Sequence, residues 1–273
     1  MSNDRDRDFL TPHLQSMAPH RALLRSVECK FMGAVEFVHP VLDIGCGDGN
    51  FASIAYDEPI DVGLDPMDRD LAEAATMRPD VYLDVVKGSA TSLPFADGAF
   101  GTVVSNCVIE HIPDVDRTLA EISRVLRPGG VFATTLPSEH YPEYLLGSTL
   151  FRKARLSRAS AAYGDFFNRI SNHYHVDPPG VWRERLTRAG LEMSEHHYYF
   201  SPAAHRTFDL AHYLGTPNLI SKRLLGRWVL HPAQMKPYAC WYRRYYDEQP
   251  PESGAYQFVK AVKTPVSSGR DQH

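Results

Sequence analysis

The segment Val41-Leu42-Asp43-Ile44-Gly45-Cys46-Gly47-Asp48-Gly49-Asn50-Phe51 constrains the fold more than any other stretch. A short apolar run that opens onto three glycines at alternate positions, followed by a helix-compatible stretch, reads as a buried strand turning sharply into a helix. Glycine reaches backbone conformations that side chains forbid. Such a turn therefore lets main chain approach a ligand closely and aims free amide groups at a carboxylate or phosphate. The dinucleotide fingerprint places its third glycine one position later, so a nicotinamide pyrophosphate fits this loop less well. A tight turn with no ligand is the structural alternative.

The surrounding pattern supports a ligand-binding turn. Short apolar runs at Val41 to Ile44, Val62 to Leu64, Val81 to Val86, Thr102 to Ser105 and Val131 to Thr135 alternate with helical stretches. This rhythm predicts a Rossmann-like, mostly parallel α/β sheet with helices on both faces. Leu191 to Phe200 and Gln257 to Val262 complete seven strands. Asp114 is a candidate helix cap, Leu119, Ile122, Val125 and Leu126 form the stripe of that helix, and Arg127-Pro128-Gly129-Gly130 ends it. Trp182 to Ala189 reads as a further helix ended by Gly190. Apolar residues from Pro12 to Val38, broken by Pro19, predict an N-terminal helical cap over 1–39. The main domain is expected over 40–264, with insertions at about 138–179 and 201–253 on the side where open α/β sheets bind ligands. These are natural acceptor lids, and 265–273 reads as a disordered tail.

Composition narrows the partners. Lys plus Arg number 29 against 33 Asp plus Glu in 273 residues, a net charge of −4, so a nucleic-acid partner is not expected. Met1 to Asp8 alternates acids with arginines and lacks the apolar core of a secretory signal. The four cysteines, Cys29, Cys46, Cys107 and Cys240, show no paired spacing, which suits a reducing cytoplasm and no zinc knuckle.

The glycine segment closely resembles motif I of the class I S-adenosylmethionine-dependent methyltransferases, in particular their small-molecule group. Val62-Gly63-Leu64-Asp65 resembles their acidic second strand, and Lys87-Gly88-Ser89-Ala90 with Leu93-Pro94-Phe95 resembles the loop after their third. Gly101 to His111 is similar to the fourth strand and its exit, and Leu126 to Gly130 to the helix stop before the fifth. The resemblance covers about 40–137. It implies S-adenosylmethionine as donor and S-adenosylhomocysteine as product, with Asp43, Gly45, Cys46, Gly47, Gly49, Asp65, Pro66, Gly88, Ser89, Ala90, Asn106 and Cys107 around the donor. Asp65 is expected to receive the ribose hydroxyls, since a carboxylate matches a vicinal diol. Asp65 followed by Pro66 also suits a helix cap and first helical residue. Ser89 stands where the family commonly has Asp, which implies a weaker contact to adenine.

Nearly all of the acceptor side lies outside the resemblance. His111, just beyond the fourth strand, is the first candidate for a general base, with loop fixation as its alternative. His140 and Tyr141 follow the fifth strand and are the other candidates. His173, His175 and Asp177 alternate, so an extended segment would present them on one face. The resemblance offers no metal, and none is expected. Leu219, Ile220, Lys222, Arg223, Leu224, Leu225, Arg227 and Trp228, then Trp241 to Tyr246, mix aromatics with bases. A lid over an apolar acceptor leads there, ahead of a membrane-surface element, a dimer contact or a nucleic-acid patch. The expected activity is methyl transfer to a small or lipid-like acceptor, for instance in secondary metabolism. A non-catalytic donor-binding module and an enzyme working at a membrane surface are the alternatives; sequence does not choose the oligomeric state.

Overall fold

A computed structural model describes residues 7–214 and 231–265. Two helices, α1 (Leu10–Ser16) and α2 (Pro19–Met32), precede the sheet. Pro19 occupies the first turn of α2, where the missing amide proton costs nothing, so this residue starts a helix as well as separating two. The core follows as β1 (Val41–Ile44), α3 (Asn50–Ala55), β2 (Ile60–Asp65), α4 (Asp68–Met77), β3 (Tyr82–Lys87) and β4 (Phe100–Asn106). The chain continues through α5 (Val115–Val125) to β5 (Leu126–Pro137). Beyond it lie α6 (Tyr141–Tyr144), α7 (Leu146–Lys153), α8 (Ser157–Ile170), α9 (Pro179–Arg188) and β6 (Leu191–Tyr199). Then come α10 (Pro202–Leu214), a 3₁₀ turn at Pro232–Met235, α11 (Lys236–Tyr246) and β7 (Tyr256–Lys263).

The seven strands lie in the order β3-β2-β1-β4-β5-β7-β6. All pair in parallel except β7, which runs antiparallel to both neighbours. The order reverses between β1 and β4, which opens a crevice at their carboxyl ends. Alternation along β1 divides its side chains between two layers. Leu42 and Ile44 join Val103, Leu119, Ile122, Phe132, Trp182 and Leu186 under α5 and α9. Val41 faces the other layer, with Leu23, Val27 and Met32 of α2 and Ala52 and Ala55 of α3. The Asp114 carboxylate accepts from the Arg117 amide at 3.2 Å, as the sequence predicts for the start of α5.

The stretch 138–179 holds α6 to α8, and α10 and α11 belong to the second long connection. In α11, Tyr242, Tyr245 and Tyr246 are buried. The Tyr246 hydroxyl donates to the Arg7 carbonyl at 2.9 Å and accepts from the Phe9 amide at 3.1 Å. Arg243 pairs with Asp8 at 3.3 Å. The aromatic-basic run at 241–246 is thus packed onto the N-terminal segment. The run from Leu219 to Trp228 and most of the predicted tail lie outside the described residues. Among the described residues, no helix is long and apolar enough to cross a membrane.

Candidate functional site

The loop after β1 has the left-handed backbone its glycines anticipate: φ is +77° at Gly45, +54° at Gly47 and +75° at Gly49. These glycines do different work. A Cβ on Gly45 would lie 2.4 Å from Val108, so this residue lets the loop pack against the exit of β4. A Cβ on Gly47 would meet nothing within 4 Å, so the middle of the loop faces open space. Gly49 is the residue from which α3 starts.

Asp65, at the tip of β2, is only 8% exposed. One carboxylate oxygen accepts from the Gly47 amide at 3.1 Å and the other from the Met67 amide at 2.9 Å. Helix α4 begins at Asp68 with Met67 in the cap position, so Asp65 and Pro66 lie ahead of the helix and do not form its cap and first residue. The Asp65 carbonyl accepts from the Gly88 amide at 3.2 Å, tying the loop after β3 to the same point. Two acceptor oxygens, each with lone-pair capacity beyond its one amide bond, sit beside an open glycine turn. That cradle fits a ribose diol and the amino-acid arm of S-adenosylmethionine.

Other residues expected near the donor have local tasks. Asp43 lies beneath the loop and accepts from the Tyr82 hydroxyl at 2.7 Å; burial pushes its carboxyl up to about 7. Cys46 is buried against Gly63, leaving its backbone as the part available to a ligand. The Ser89 hydroxyl is bonded to Thr91 Oγ1 at 2.8 Å within its own turn, and Ala90 is buried beside Leu93.

Asn106 and Cys107 lead to a group that sequence reading missed. Glu28 of α2 is fully buried, and its carboxylate accepts from Arg25 at 2.5 Å, Asn106 Nδ2 at 2.8 Å, Cys107 Sγ at 3.2 Å and Tyr199 Oη at 3.3 Å. Thr135 Oγ1 donates to Asn106 Oδ1 at 2.7 Å. The side chains of Asn106 and Cys107 therefore anchor α2 over the end of β4, and burial holds the Cys107 thiol well above its ordinary range, as a neutral thiol.

Beyond β4 the 3₁₀ turn Ile109–His111 presents Glu110 inward and His111 partly outward. His111 Nδ1 lies 3.2 Å from the Asn172 carbonyl, so this nitrogen carries the proton and Nε2 keeps its lone pair. Burial lowers the His111 pKa, which favours that neutral ring. His173 stacks on His111 with ring centroids 5.3 Å apart. The expected alternation holds for His175 and Asp177, whose Nδ1 and Oδ2 lie 3.8 Å apart, but His173 leaves that face. The chain bends at Tyr174, between His173 and His175, and His173 joins Glu110 and His111. His175 Nε2 instead lies 3.0 Å from the Ile112 carbonyl, while Arg185 donates to Asp177 at 2.9 Å.

His140 and Tyr141 diverge. His140 stacks on Tyr144 at 5.0 Å and its Nε2 lies 3.6 Å from Glu139. Tyr141 is 2% exposed among His173, His205 and Tyr256, and burial pushes its phenol up to about 12.

A family described as a methyltransferase domain matches residues 42–134, the span that holds the glycine loop, Asp65 and the exit of β4. Over that span the chain is similar to the S-adenosylmethionine-dependent methyltransferases. A probable S-adenosylmethionine-dependent methyltransferase of Mycolicibacterium smegmatis is 38% identical over 99 residues, 36% of this chain and 38% of the relative. A demethylmenaquinone methyltransferase of Beutenbergia cavernae is 38% identical over 91 residues, 33% of this chain and 37% of the relative. The chain thus spans less than two fifths of either relative's length. A SAM-dependent methyltransferase of Thermotoga maritima, described as a possible histamine N-methyltransferase, shares the fold with a TM-score of 0.51. It is 18% identical over 90% of this chain and 91% of that one. The turn Gly45 to Gly49 and Asp65 lie inside the matched span, whereas α6 to α8, α10 and α11 lie outside it.

Proposed function

We propose that this chain transfers a methyl group from S-adenosylmethionine to a small or lipid-like acceptor. The observation that carries the reading is the pairing of Asp65 with the amide of an open Gly47 turn. Asp65 would hold the ribose hydroxyls, the loop Gly45 to Gly49 the amino-acid arm, and Gly88 to Ala90 the edge of adenine. The donor supplies a methyl group on a good leaving group, so the protein's work is alignment and exclusion of water. His111 Nε2 would accept a proton from the acceptor, a reading supported by the engagement of its Nδ1 with the Asn172 carbonyl. Demethylmenaquinone, the acceptor in the name of the Beutenbergia relative, falls in the proposed class of small or lipid-like acceptors.

The test is calorimetric titration with S-adenosylhomocysteine, followed by assay of its release when the full chain is given S-adenosylmethionine and fractionated cell extract. Release above the level of an Asp65→Ala control supports the reading. Binding without release from any fraction would leave a donor-binding module, the alternative that sequence also allows.

A further inference from the structure

Glu110 is 1% exposed, and its Oε2 atom has no hydrogen-bond partner among the described residues. A buried carboxylate oxygen without a donor is costly: alone the group takes up a proton, and burial pushes the Glu110 carboxyl up to about 8, whereas a bound cation would let it stay charged. Two imidazoles stand against it. His111 Nε2 lies 3.6 Å from Glu110 Oε1, and one ligand atom from each of Glu110, His111 and His173 lies within 4.8 Å of the others.

We infer that Glu110, His111 and His173 form a binding site for a divalent first-row transition metal ion. The second layer is arranged as metal-binding histidines require. His111 Nδ1 is turned to the Asn172 carbonyl at 3.2 Å, and His173 Nδ1 lies 3.4 Å from Asn168 Oδ1, which leaves both Nε2 lone pairs free. The Glu110 carbonyl accepts from the Tyr174 amide at 2.9 Å and the His175 amide at 3.3 Å, fixing the loop that carries His173 against the turn that carries the other two ligands. Ligand bonds of about 2.0–2.2 Å require donor atoms roughly 3.3 Å apart, so the three side chains must close in on a bound ion. Two nitrogens and one carboxylate select zinc, iron(II), cobalt(II) or manganese(II) over calcium or magnesium, and three ligands leave positions open for an acceptor oxygen. With an ion bound, the His111 lone pair holds metal in place of a proton. The inference therefore goes beyond methyl transfer and does not depend on it.

The experiment is titration of the chelator-treated full chain with cobalt(II), followed by its visible d–d absorption, with zinc as competitor and no methyl donor present. We expect one saturable equivalent, weakened about tenfold or more by Glu110→Gln and by His173→Ala. His39→Ala, at a surface histidine paired with Asp61 and Glu58, is expected to leave affinity unchanged. S-adenosylhomocysteine affinity, measured in parallel, should be retained in His173→Ala and thereby report its fold. No saturable binding, or wild-type affinity in both cluster variants, overturns the site. Either result leaves the donor cradle standing, whereas loss of S-adenosylhomocysteine binding by the wild type strikes the methyl-transfer reading alone.

Discussion

Asp65 Oδ2 accepts a hydrogen bond from the Gly47 amide across a gap of 3.1 Å, joining the tip of β2 to the middle of the glycine turn after β1. The carboxylate thereby shapes the turn, and in the proposed reading it also receives the sugar diol. This double duty makes Asp65→Ala lower donor affinity by more than about 1 kcal/mol, the scale of lost charge-assisted bonds. Calorimetry with S-adenosylhomocysteine measures it, and unchanged affinity would remove Asp65 from the donor site.

Gly45 and Gly47 separate stability from binding. Gly45→Ala drives a methyl group into Val108 and should destabilise the fold by roughly 1–3 kcal/mol, part of which Val108→Ala restores. Gly47→Ala meets no neighbour and carries only backbone strain, yet fills the open side of the loop. Its loss should appear in donor affinity more than in urea denaturation; the reverse order would place the ligand elsewhere.

Glu28 anchors α2 to the end of β4 with a buried carboxylate facing Arg25, whose side chain keeps 18% exposure. Removing one partner of such a pair leaves the other uncompensated. Glu28→Ala should cost on the order of 3 kcal/mol, discounted for the part of Arg25 that reaches water. Chemical denaturation of Glu28→Ala beside Glu28→Gln, which keeps shape without charge, tests it. A loss below the scatter of surface substitutions would deny the anchor.

Asp43 gives a pH signature. Burial raises its carboxyl from 3.8 to about 7, so the folded state holds its proton more tightly than the unfolded state. The stability this group contributes is complete below 3.8 and is lost as pH rises through about 7. Asp43→Asn, which still offers an acceptor to Tyr82, should therefore gain on the wild type as pH rises across that window. Denaturation midpoints that move in parallel would contradict it.

With no metal ion bound, His111→Ala should leave donor affinity intact and lower turnover by about a hundredfold or more, the reach of a positioned proton acceptor. Equal turnover with the true acceptor would return His111 to fixing its loop.

The strands and the glycine turn were legible because their signals are local. Val41 to Gly49 carries its burial, its turn and its positive φ angles within nine positions of sequence. Glu28 was not legible: it sits in the apolar pattern of α2 and meets Asn106 only when that helix packs over β4. His173 misled for a different reason. Alternation with His175 and Asp177 implies one face only for extended backbone, and the bend at Tyr174 parts His173 from the other two. Glu110 carried no sequence mark either, since its missing partner is a property of burial.

The most direct measurement is the heat of S-adenosylhomocysteine binding to the unmodified full chain. A cradle built by Asp65 and the Gly45 to Gly49 turn requires saturable one-to-one binding that moves the Gly47 amide resonance. The absence of any binding heat, with that resonance unmoved at saturating ligand, would contradict it.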